Sequence, residues 1–211
     1  MPSNHEIHLL GPVRRAARSL RALFEPRRLL SEERDFLERE FGASLDCDAL
    51  RIAGGGQPLG RVAWQPMAAL IQLADGCFEA DDPTRVIRHE ALPIFAHEAL
   101  HVWQRVHRHC AVHVSVDGLW LGIAHGVRAY RYDTRLADPA ELLREFLAGN
   151  IERQGQMFED YVRSNVHVLR ARDPKFAAIA QYVRARVIGS GGPGDVAGNG
   201  SVRHSGSSFS M

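Results

Sequence analysis

Ala96-His97-Glu98-Ala99-Leu100-His101-Val102-Trp103-Gln104 decides how this chain is read. The stretch contains His-Glu-x-x-His, from His97 to His101. On a helix, residues four apart differ by about 40° around the axis, so both imidazoles project from one face, a turn apart. That spacing suits two of the three protein ligands of a catalytic zinc, with a position kept for water. Glu98 follows the first ligand and can reach that water as a general base. The metal lowers the water's pKa, and the carboxylate takes its proton as it attacks a carbonyl. Leu92, Ile94, Phe95, Leu100 and Val102 supply the apolar setting of a buried helix. The helix should begin near Pro93, well placed as a first helical residue, and run to about His109.

The chain carries its own control for this motif. His89-Glu90-Ala91-Leu92 repeats the first four residues, but Pro93 stands where the second histidine belongs. That copy cannot make a helical two-histidine site.

Two side chains compete for the third ligand. His107 completes the spacing HExxHxxGxxH, with Gln104 in the glycine position. Glycine there lets the chain turn back to the metal; with Gln104 the helix should continue and carry His107 to another face. Glu152, in Asn150-Ile151-Glu152-Arg153-Gln154-Gly155-Gln156, is the other option. A glutamate from a second packed helix gives a His-His-Glu site, and Glu152 is the preferred reading.

The HExxH stretch, the later Ala129-Tyr130-Arg131-Tyr132-Asp133 and the Asn150–Gln156 segment together resemble a bacterial family of zincin-like metallopeptidases. These are the "Vgr-related" proteins, similar to metallopeptidase domains fused to VgrG spikes or associated with Rhs proteins of type VI secretion. The resemblance covers roughly Leu30 to Val166. It implies His97, His101 and Glu152 as zinc ligands, Glu98 as the catalytic base, and a role as an interbacterial effector. It also implies partners: a peptide or protein substrate, a secretion spike and an immunity protein.

Other residues have weaker claims. Gln156, four residues after Glu152, can hydrogen-bond a ligating histidine. Tyr130, Tyr132 and His125 can each stabilise an oxyanion. His107, His109 and His113 cluster in sequence, though exposed or core histidines fit them as well. Trp103 reads as a packing anchor.

Around the motif, a helix should follow Ser31, a good N-cap, and end at Gly42. Leu50–Ile52, Val62–Trp64 and Leu70–Leu73 are strand-length apolar pieces between turn formers, which predicts a small, mainly antiparallel sheet. Further helices should follow Asp138-Pro139, span roughly 150 to 166, and run from Asp173-Pro174 to about Val187. The expected fold is α+β and zincin-like, mostly helical, with the two metal-bearing helices facing each other. Residues 1–29 form a basic extension whose 12–24 segment has amphipathic helical spacing, residues 30–188 the domain, and 189–211 a Gly/Ser-rich tail that cannot offset its ordering entropy.

Composition sets the outer limits. The 211 residues suit one ordinary domain, and 45% hydrophobic content supports a core. A net charge of +1 gives no electrostatic case for nucleic acid as the main partner. No apolar run reaches the ~20 residues of a membrane span, and the N-terminus lacks a secretory signal pattern, so synthesis in the cytoplasm without export by the general secretory route is expected, and the resemblance implies delivery by a type VI system. Cys47, Cys77 and Cys110 are odd in number and widely spaced, which suggests neither a disulfide framework nor a thiolate zinc site. A non-catalytic binding protein on the same fold, and hydrolysis of a non-peptide amide, remain as alternatives. An intact Glu98 favours an enzyme, because a structural zinc site needs no base.

Overall fold

Glu33 and Gly42 delimit the first helix, α1 (Ser31–Phe41). The Glu33 carboxylate reaches back to accept from Leu30 N–H at 2.9 Å, so Leu30 is the N-cap and Ser31 the first helical residue. Gly42, at φ 59°, donates its N–H to the Glu38 carbonyl and ends the helix in a backbone region that glycine adopts without a Cβ penalty. The computed structural model describes residues 26–55, 63–67, 69–107, 126–166 and 173–186. The 12–24 segment, His109, Cys110, His113, His125 and the 189–211 tail lie outside them.

Strands β1 (Arg51–Ala53), β2 (Ala63–Met67) and β3 (Leu70–Leu73) form a sheet in the order β1-β3-β2. The sheet is mixed, which corrects the expectation of a mainly antiparallel one. β2 and β3 are antiparallel, but β1 runs parallel to β3 with Ile52 opposite Ile71. The reason lies in the connections. Two residues separate β2 from β3, which suits a hairpin, whereas nine separate β1 from β2, so the two need not be neighbours and β3 lies between them. Arg27 adds one antiparallel rung on the outer side of β1, exchanging backbone hydrogen bonds with Ile52.

The remaining α-helices among the described residues are α2 (Leu92–His107), α3 (Pro139–Ala148), α4 (Ile151–Val166) and α5 (Ala177–Arg184). Asp138 caps α3 by accepting from Ala140 N–H, with Pro139 in the first turn, where a missing N–H costs nothing. Asn150 does the same for α4 through Arg153 N–H. A short 3₁₀ turn, Pro174–Phe176, leads into α5 and starts where Asp173 accepts from Lys175 N–H. The incomplete copy of the motif, His89–Ala91, is another 3₁₀ turn, with His89 exposed.

The core sits between α1 and the α2/α4 pair. Phe36 stacks on Phe95 with centroids 6.0 Å apart, and Phe41 meets Phe158 at 4.9 Å. Trp103 is fully buried, as its reading as an anchor requires, and its indole N–H donates to Ser44 Oγ. Two buried ionic clusters tie the layers together. Arg27 grips Glu33 with both terminal nitrogens at 2.7 Å, and Ile87 N–H donates to the same carboxylate. Tyr161 and Arg184 both donate to Glu40 Oε2, linking α1, α4 and α5. Among the described residues, no helix is long and apolar enough to cross a membrane.

Candidate metal centre

α2 and α4 pack antiparallel, as their contacts show: His97 faces Gly155 and Glu159, His101 faces Glu152, and Gln104 faces Ile151 and Gln154. The apolar face of α2 drives this packing, and it takes the polar residues of the motif inside with it. His97 and His101 are each only 7% exposed, Glu98 8% and Glu152 6%. Burying four such groups together is costly unless they pair with one another or with a cation.

They do pair. Glu152 Oε2 lies 3.6 Å from His97 Nε2 and 3.7 Å from His101 Nε2. One ligand atom from each of the three residues falls within 4.8 Å of the others, close enough that the three could hold a metal ion together. The opposite nitrogens have their own partners. His97 Nδ1 is 3.1 Å from Glu159 Oε2, and His101 Nδ1 is 2.8 Å from Gln104 Oε1. Glu159 is held from behind by the Arg163 guanidinium.

The electrostatics follow. Burial alone would push the His97 pKa down, but hydrogen bonds to Glu152 and Glu159, with Glu98 adding its charge, push it up to about 10. Glu152 is raised by burial, yet His101 and His97 hold it well below the usual carboxylate range. For Glu159, burial again raises, and His97 and Arg163 bring it down. Two imidazoles and a carboxylate this close together are a donor set that could hold a metal ion.

His107 takes no part. The helix continues through Gln104, and His107 lies over the Trp103 ring with Nε2 donating to the Ser44 carbonyl at 2.7 Å. Gln156 does not serve the histidines in the way its spacing suggests. It donates to Asp160 Oδ1, and the histidine Nδ1 atoms go to Glu159 and Gln104. Tyr132 also donates to Asp160, and burial together with that carboxylate raises its pKa, so it anchors the 130–133 segment to α4. Tyr130 stays beside the cluster, its ring 6.2 Å from that of His97.

Sequence reasoning missed Glu159, Gln104 as a histidine partner, and Gly155. The signal for Glu159 was present: seven residues from Glu152 is two turns and only about 20° off its direction, whereas Gln156 is about 40° off. A recess of about 500 Å³ lies elsewhere, lined by residues including Phe36, Arg39, Glu79 and Leu92, and none of the three clustered residues lines it. Comparison with family profiles, with curated proteins and with solved structures finds no match.

Proposed function

We propose that this chain is a zinc-dependent hydrolase of peptide bonds with a zincin-like fold. The observation that carries the reading is the buried convergence of His97, His101 and Glu152 on two packed helices, with Glu98 next to the first histidine. The residues fit the ion. Two imidazole nitrogens and one carboxylate oxygen are the ligand set of many catalytic zinc sites. Partners on both Nδ1 atoms leave each Nε2 for the metal. When bound, zinc supplies Lewis acidity, which makes water acidic enough to lose a proton near neutral pH and polarises a carbonyl.

The chain's own side chains do the rest. Glu98 accepts the water proton and passes it to the leaving amine, so one carboxylate acts as base and then as acid. It lies within electrostatic reach of Arg105. The oxyanion of the tetrahedral species needs a hydrogen-bond donor, and the Tyr130 hydroxyl would supply it, with its ring 6.2 Å from that of His97. The order of motifs along the chain supports a type VI effector, acting on a peptide or protein substrate and paired with a secretion spike and an immunity protein.

The test is metal analysis of the purified chain joined to one substitution. About one zinc per chain is expected. Glu98→Gln should keep the zinc and lower hydrolysis of a peptide pool on the order of 100-fold, as for loss of a general base. Full turnover by a zinc-loaded Glu98→Gln protein would overturn the mechanism, and a wild-type chain that takes up no zinc would overturn the site.

A further inference from the structure

The two histidines of the cluster are held by different chemistry. His97 leans on a carboxylate, Glu159, which accepts a hydrogen bond whichever way it lies. His101 leans on an amide, Gln104, which accepts at one end and donates at the other. An amide can set the proton of an imidazole only if something else sets the amide.

The surroundings of Gln104 supply that. Gln104 is fully buried and Gln154 nearly so. Gln154 Nε2 lies 2.8 Å from the Phe146 carbonyl and 3.0 Å from the Gly149 carbonyl, at the C-terminal end of α3. Backbone carbonyls only accept, and a helix C-terminus leaves its last carbonyls without helical partners. Both Nε2 hydrogens of Gln154 are therefore committed, and its Oε1 must face the other way. There it accepts from Gln104 Nε2 at 2.9 Å, and the second Gln104 hydrogen goes to the Ile151 carbonyl at 3.2 Å. With both of its donors spent, Gln104 can present only Oε1 to His101 Nδ1. A flip of either amide would set oxygen against oxygen in a buried site, at two places for each flip.

We propose that Gln154 and Gln104 are positioning residues: a buried relay running from the end of α3 fixes the proton of His101 on Nδ1 and aims its Nε2 lone pair at the cluster. The importance of that aim for metal binding rests on the zinc reading above; the direction of the relay does not. Gln154 touches none of the three clustered side chains in this network, so it acts only through Gln104. Fixing the tautomer in advance removes a rearrangement that binding would otherwise require, which is how partners one step removed from a ligand tune metal affinity.

The test uses the full chain labelled with ¹⁵N-histidine. In the metal-free protein with the ring neutral, ¹⁵N NMR should find the His101 proton on Nδ1. Gln104→Met should leave a mixture of both tautomers. Gln154→Met should move the ring part of the way, although it does not touch His101. Gln104→Glu should restore the Nδ1 form, because a carboxylate accepts in either orientation, at a cost in thermal stability, since its second oxygen then faces the Ile151 carbonyl and Gln154 Oε1. By chelator competition, the zinc dissociation constant should rise on the order of 10- to 100-fold in Gln104→Met and on the order of tenfold in Gln154→Met. A merely structural role would change thermal stability and leave the tautomer in place. A wild-type His101 that keeps its proton on Nε2, or a tautomer unmoved in both methionine variants, would overturn the relay. A wild-type chain with the Nδ1 form that binds no zinc would leave the relay standing and sink the zinc reading instead.

Discussion

A Cβ built on Gly155 would stand 2.5 Å from His97 Nε2, the atom that faces Glu152. The bare backbone of α4 at this position is what lets the His97 ring lie flat against the helix.

Gly155→Ala follows from that distance. Alanine in a helix interior is favoured over glycine by about 1 kcal/mol, so the helix itself should gain. The ring has nowhere to go except out of the cluster. Zinc affinity should therefore fall at least tenfold while the folded helical content survives, as measured by chelator competition and circular dichroism. Unchanged affinity would mean that α4 can move aside and that the glycine is incidental.

Glu152→Ala and His107→Ala should separate cleanly. Glu152 sits between both histidines, so its loss should remove most metal binding. His107 gives up only its bond to Ser44 and its packing on Trp103. That should cost roughly 1–2 kcal/mol of stability and leave the zinc in place. Metal content of the two purified variants decides it, and the reverse ranking would return His107 to the ligand set.

Glu33→Ala should be among the most damaging changes far from the cluster. The carboxylate is 1% exposed and accepts from Arg27 twice, from Leu30 N–H and from Ile87 N–H. Among the described residues, its removal takes the one carboxylate partner from the Arg27 guanidinium, leaving it carbonyl acceptors alone, and strands two backbone donors. A loss of about 3–5 kcal/mol is expected from breaking such a buried pair, read from urea unfolding of the zinc-loaded protein. A loss below about 1 kcal/mol would mean that water replaces the carboxylate.

Cys47 should be a poor nucleophile in the native protein. Burial, with Glu38 adding its charge, pushes the thiol up to about 11. At pH 8 only roughly one molecule in a thousand carries the thiolate, the form that reacts. Alkylation of the Cys47 peptide, followed by mass spectrometry, should run at least tenfold slower in native than in unfolded chain at pH 8. The native rate should climb as pH rises toward 11. Equal rates at pH 8 would show the site to be open.

The parts legible in the sequence are those that short-range geometry controls. The helix from Leu92 to His107 follows from its apolar spacing, and α3 opens where Asp138-Pro139 supplies a cap and a suitable first residue. The same reasoning placed His97 and His101 on one face and sent His107 to another, because a continuous helix assigns direction by residue number alone. What only the tertiary structure decided is which atoms meet across elements. β1 lies parallel to β3, a pairing that no local pattern encodes. Arg27, in the stretch read as an extension, is bound into the fold by Glu33 and Ile52. Helix arithmetic already put Glu159 nearer the direction of Glu152 than Gln156, but that its carboxylate meets His97 Nδ1 depends on how α4, with Phe158 and Tyr161 in the core, is turned toward α2. A helix writes its faces in its own sequence; the depth and angle at which two helices lock depend on every side chain between them.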